Sequence, residues 1–177
     1  MKKIILGLAL LGTAQYAVAG LITYEFSQEN YDDNATVTGF FTGEDLDGDN
    51  LLELDNGTGT EITDFAMTFS GNSIVAGFSH TLSDLQGLIF SINSNEFLGD
   101  DFGSLWTEGV ASNGLAYTWQ SGLGPNFSNP GGKVTNTATS AHDSTGSLVV
   151  VNQVPEPATL ALVALGIAGL RLARVKR

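Results

Sequence analysis

The chain has no cysteine in its 177 residues. That excludes disulfides, thiol nucleophiles and cysteine-based zinc sites. Histidine is nearly missing too: only His80 and His142 occur, and neither sits in an HExxH pattern or near a GxSxG elbow. Both read as surface side chains. Positive charge is scarce where it would matter most. Of the 7 Lys and Arg, all but Lys133 fall within residues 1–19 or 154–177, whereas of the 19 Asp and Glu only Glu156 does. The stretch between, residues 20–153, therefore sets one base against 18 acids and carries a net charge of −17. Such a surface repels nucleic acid and anionic lipid and attracts cations. Also missing from this stretch is any long run with a period of 3.6, which argues against helices.

What is present divides the chain into three. Residues 1–19 hold Lys2 and Lys3, an apolar run over 4–11, and the small residues Ala17, Val18 and Ala19. This is the layout of a secretory signal peptide, to be cut by signal peptidase between Ala19 and Gly20. Residues 154–177 open on Val154, Pro155, Glu156 and Pro157, continue through an apolar run, and end with Arg171, Arg174, Lys176 and Arg177. Residues 158–173 as a transmembrane helix would span roughly 24 Å at ~1.5 Å per residue. That is short of a ~30 Å hydrocarbon core, and a snorkelling Arg171 and local thinning of the bilayer can absorb the difference. The basic tail would stay cytoplasmic. The two prolines hold the preceding strip extended, the backbone shape a protease cleft accepts.

The Pro-Glu-Pro triplet, the apolar run with Gly166 and Gly169, and the Arg/Lys tail together resemble the PEP-CTERM sorting signal of Gram-negative bacteria. The resemblance implies export, transient anchoring in the inner membrane, and recognition at or near Pro155, Glu156 and Pro157 by an exosortase, a membrane-embedded cysteine protease-transpeptidase. It implies a final place at the cell surface or outside the cell, in bacteria that make exopolysaccharide, floc or biofilm. The stretch around Asp45 and the strand after Glu61 also resemble small PEP-CTERM ectodomains of unassigned activity.

Residues 20–153 are long enough for one domain with a core. Their dominant period is two. Ile22, Tyr24 and Phe26 alternate with polar neighbours, as do Phe65, Met67 and Phe69. Ala35, Val37 and Phe41 share a face, as do Leu88, Phe90 and Ile92, and Leu115, Tyr117 and Trp119. Residues 147–151 are a further strand that closes a sheet. Turn formers separate these runs, at Asp32-Asp33-Asn34, Asn56-Gly57, Ser70-Gly71-Asn72, Asn93-Ser94-Asn95 and Asn113-Gly114. The pattern predicts a mainly β fold, a single antiparallel β-sandwich of jelly-roll-like type. Residues 129–146, rich in Ser, Thr, Asn and Gly, read as a surface loop of that sandwich, with a flexible stretch near the membrane as the alternative.

Three patterns bear on chemistry. Asp45, Asp47 and Asp49 stand at i, i+2 and i+4, the spacing by which a tight loop turns alternate carboxylates on one calcium ion. Asn50 takes the sixth position, where Gly is usual, and Asn56 the twelfth, where a bidentate Glu is usual. Glu53, Asp55 or Glu61 would have to supply the missing ligand; otherwise the stretch is a solvated acidic turn. Trp106, in a loop-like context, is a candidate for stacking on sugar rings, whereas Tyr117 and Trp119 share a strand face and belong in the core. His142 beside Asp143 gives no spacing that identifies a catalytic serine. The expected function is therefore a non-enzymatic surface or matrix protein linked to exopolysaccharide. The alternatives are a lectin-like carbohydrate-binding module, calcium-dependent or not, and, behind it, a secreted hydrolase.

Overall fold

The computed structural model describes residues 20–54, 61–92, 97–98, 108–124 and 127–155. The expected signal peptide and transmembrane helix, the basic tail, Glu156, Pro157, Asp55 and Trp106 lie outside them. Among the described residues no helix is long and apolar enough to cross a membrane.

The alternating segments form strands β1 (Ile22–Gln28), β2 (Val37–Gly43), β3 (Leu51–Leu54), β4 (Ile62–Phe69), β5 (Phe78–Thr81) and β6 (Leu85–Ser91), then β7 (Phe97–Leu98), β8 (Gly109–Asn113), β9 (Tyr117–Gly124), β10 (Phe127–Asn136), β11 (His142–Thr145) and β12 (Val149–Gln153). They build two six-stranded antiparallel sheets. The first runs β5-β4-β2-β1-β12-β7 and the second β11-β10-β9-β8-β6-β3. The inward faces meet in one core. Phe26 of the first sheet lies flat on Trp119 of the second, with ring centroids 5.5 Å apart, and Tyr24 and Phe41 both meet Phe90 edge-on. Two sheets facing each other across interdigitated side chains are a β-sandwich. The strand order is not a jelly roll. Strands β8 to β11 are successive neighbours in one sheet, a meander, while in the other sheet β12 returns to lie beside β1.

Period two locates most of the core. Tyr24, Phe26, Ala35, Val37, Phe41, Phe65, Met67, Phe69, Leu88, Phe90 and Trp119 are all buried. Ile22, Ile92 and Tyr117 are only partly buried and pack against the edge of that core, and Leu115 lies outside it altogether. It sits in the turn that the Gly114 N–H to Tyr117 carbonyl bond closes, fully exposed, and β9 begins only at Tyr117.

The predicted loop over 129–146 is instead a hairpin, β10 and β11 joined through a turn over 137–139. Its loop-like composition has local causes. A bulge separates the Asn129–Gly122 pair from the Gly132–Ser121 pair. Pro130, which has no N–H for a ladder, falls inside that bulge. The free Gly131 carbonyl accepts from Ser121 Oγ at 2.9 Å. A Cβ on Gly132 would run into Gln28 and the Tyr31 hydroxyl. The Asn, Pro and Gly residues thus serve a bulge and a close approach within a strand.

Gln28 is the polar centre of the core and is fully buried. Its Oε1 accepts from the Tyr31 hydroxyl at 2.7 Å and from the Trp119 indole at 3.1 Å. Its Nε2 donates to Ser121 Oγ at 3.0 Å and to the Ser147 carbonyl at 2.8 Å. Burial raises the Tyr31 hydroxyl pKa well above its usual value.

Candidate functional site: the acidic turn and the C-terminal exit strand

The acidic turn connects β2 to β3. Gly48 and Asn50 adopt positive φ, +80° and 69°, so the backbone curls back on itself. That curl aims backbone N–H groups at the carboxylates. Asp45 accepts from Gly48 N at 2.7 Å and Asn50 N at 3.0 Å. Asp47 accepts from Asp49 N at 3.2 Å and Asp49 from Leu51 N at 2.8 Å. One carboxylate oxygen from each of Asp45, Asp47 and Asp49 lies within 4.8 Å of the others. Oxygens on opposite sides of one calcium ion stand about 5 Å apart, twice a 2.3–2.6 Å bond, so the three fit a single coordination shell.

The sequence offered three candidates for the missing ligand. Glu53 stands outside the aspartate group. Glu61 is buried, and its two oxygens accept from the backbone N–H of Leu46 at 2.7 Å and of Glu53 at 3.1 Å. It braces the turn against β3. The arrangement holds hard oxygen donors suited to a divalent cation, three from the protein, with the rest of the shell left to water.

His80 is not the surface side chain its neighbours suggest. It is buried on β5, with Nδ1 2.8 Å from Ser112 Oγ on β8 of the opposite sheet, and it packs against the Phe78 ring. Burial lowers its pKa; nearby Asp84 and a backbone hydrogen bond to Tyr117 oppose that shift. Ser112 is buried as well, so the pair acts as a clasp between sheets and does not present an open nucleophile. Asp84 is spent on capping Thr81. No pattern in the sequence could have located the His80–Ser112 clasp, because its two members lie on strands of different sheets. His142, by contrast, is exposed on β11. Its neighbour Asp143 is buried and accepts from Asp32 N at 3.0 Å and Asn72 Nδ2 at 2.6 Å, tying two loops together.

At the C-terminal end, β12 pairs antiparallel with β1, and the ladder runs one residue further, where Val154 N–H donates to the Thr23 carbonyl at 2.8 Å. Pro155 is the next residue, and the first without an N–H to give. Pro155, which opens the Pro-Glu-Pro segment, therefore follows directly on a sheet strand, beside the start of β1.

Residues 153–177 match the PEP-CTERM protein-sorting motif. No curated protein and no solved structure matches the chain. The motif implies export and processing from a membrane-anchored precursor, with exosortase as the processing partner. An acidic two-sheet domain that passes straight into this motif is thus an exported, exosortase-processed protein carrying the PEP-CTERM sorting signal at its C-terminus.

Proposed function

We propose that the chain is a non-catalytic component of the cell surface or extracellular polymer, with a structural or interaction role in an exopolysaccharide or biofilm matrix. The observation that carries this reading is the sorting motif at 153–177, joined to the sandwich with no linker beyond Val154. A domain delivered this way is released or transferred outside the inner membrane. Its signal peptide is removed after Ala19, and its transmembrane segment and basic tail stay behind after cleavage.

The domain suits that role physically. Its net charge of −17 keeps it soluble and keeps copies apart in a hydrated polymer. Without disulfides it depends on its aromatic core. In this reading a divalent cation on Asp45, Asp47 and Asp49 stiffens the turn between β2 and β3.

The test is fractionation of the producing bacterium carrying either the natural chain or one with Pro155, Glu156 and Pro157 all changed to alanine. The natural chain should appear, trimmed, in the surface and polymer fractions, and the variant should stay untrimmed in the inner membrane. Equal trimming of both would overturn the sorting half of the proposal. Trimmed chain found free in the medium, with none in the polymer, would overturn the matrix half.

A further inference from the structure

We propose that the outward face of strands β1, β2 and β12 is a binding site for a neutral polysaccharide chain. This rests on the reading that the chain works in an extracellular polymer, and it names the ligand class and the residues that meet it.

The registers place Asn152, Glu25 and Phe40 side by side across the three strands, with Ser27 and Thr38 paired in a neighbouring row. These side chains alternate with the buried Tyr24, Phe26 and Phe41, so they face outward. Together with Thr23 they line an open groove of about 550 Å³. Phe40 is half-buried and is no part of the core cluster. Of the polar side chains in the groove, only Thr23 is engaged within the described chain, with Thr42 Oγ1 at 2.9 Å.

A sugar chain needs what this face offers. An aromatic ring meets the apolar face of a pyranose, and the carboxylate and carboxamide that follow it along the same row bond its hydroxyls. The groups sit on paired strands, so little ordering is required on binding.

Charge selects among ligands. The groove has no cation: its one ionisable side chain is Glu25, and the one Lys of residues 20–153, Lys133, is on β10 of the other sheet. A uronate-rich or phosphorylated polymer, or a second copy of this acidic domain, would be repelled.

The experiment is native affinity electrophoresis of the full chain in mild detergent. The gels contain the neutral or the acidic fraction of the producer's own extracellular polysaccharide. The neutral fraction should retard the chain and the acidic one should not. Phe40→Ala should weaken retardation about 10-fold, since it removes a stacked aromatic. Asn152→Ala, at an exposed position that leaves the core intact, should weaken it by roughly 3-fold, as loss of one hydrogen-bonding group does. If Phe40→Ala lowers the unfolding midpoint, Asn152→Ala and Thr38→Ala decide. Retardation by the acidic fraction alone, by neither fraction, or equally in wild type and variants would overturn the site. If the chain is trimmed and matrix-bound yet the variants bind normally, only this site fails. If the chain never leaves the inner membrane, the matrix role fails while the binding result stands.

Discussion

The backbone N–H of Val154 donates to the carbonyl of Thr23 at 2.8 Å. This bond joins the residue just before Pro155 to the second residue of β1, so both ends of the domain leave the sandwich at one place. An extended substrate cleft has to grip a strip that starts one residue beyond the last sheet hydrogen bond. The folded domain should therefore crowd the protease. A four-residue Gly-Ser insertion between Val154 and Pro155 should speed C-terminal trimming severalfold in a pulse-chase followed by mass spectrometry. An unchanged rate would mean that cleavage lies far enough into the segment for the sandwich not to interfere.

Gln28 uses both its oxygen and its amide nitrogen twice, binding Tyr31, Trp119, Ser121 and Ser147. Gln28→Leu keeps the volume but leaves buried donors on Tyr31 and Trp119 without partners. At ~1–3 kcal/mol for each orphaned group, the loss should reach about 3 kcal/mol or more. Urea unfolding of wild type and variant measures it, and a loss under about 1 kcal/mol would show that water replaces the amide.

The His80–Ser112 clasp makes stability depend on pH. Burial lowers the His80 pKa below its ordinary value of 6.5. Above that value the ring is neutral in both folded and unfolded chains, and the contribution is complete. As pH falls below it, the unfolded chain takes up a proton that the folded chain resists, so stability declines until the folded-state pKa is passed. The urea midpoint should drop between pH 7 and pH 5. The drop should be smaller in His80→Gln, which cannot titrate; equal slopes in the two proteins would remove His80 as the cause.

The core could be read from the sequence because burial on one face of a strand leaves a period of two, which residues such as Phe65, Met67 and Phe69 keep without interruption. The partition between sheets could not. Strands β5 and β6 are separated only by the 3₁₀ turn Leu82–Asp84, yet they belong to different sheets. The β10–β11 hairpin was hidden because the bulge at Pro130 and the tight approach at Gly132 demand residues that also mark loops. The aspartate spacing foretold the turn, since its geometry is set within six residues. The groove around Phe40 was invisible, because it joins β1 and β2 to β12, more than a hundred residues away in sequence.

Three carboxylates within 4.8 Å repel one another until a cation enters. Calcium at about 100 times its dissociation constant should stabilise the domain by about 2.7 kcal/mol. Asp47→Asn keeps an acceptor for Asp49 N but removes one of the repelling charges, so it should abolish most of this gain while leaving stability in chelator equal to or slightly above that of wild type. Thermal midpoints in calcium and in EGTA provide the check, and identical midpoints for wild type in the two would mean that the turn is only a solvated one.

The most direct test of the whole account is intact-mass spectrometry of the protein from its native host, in cell-associated and released fractions. A processed exosortase substrate should give a mature chain that begins at Gly20 and ends between Val154 and Pro157. A chain still ending at Arg177, confined to the membrane fraction, would contradict it: the C-terminal segment would then be a permanent anchor.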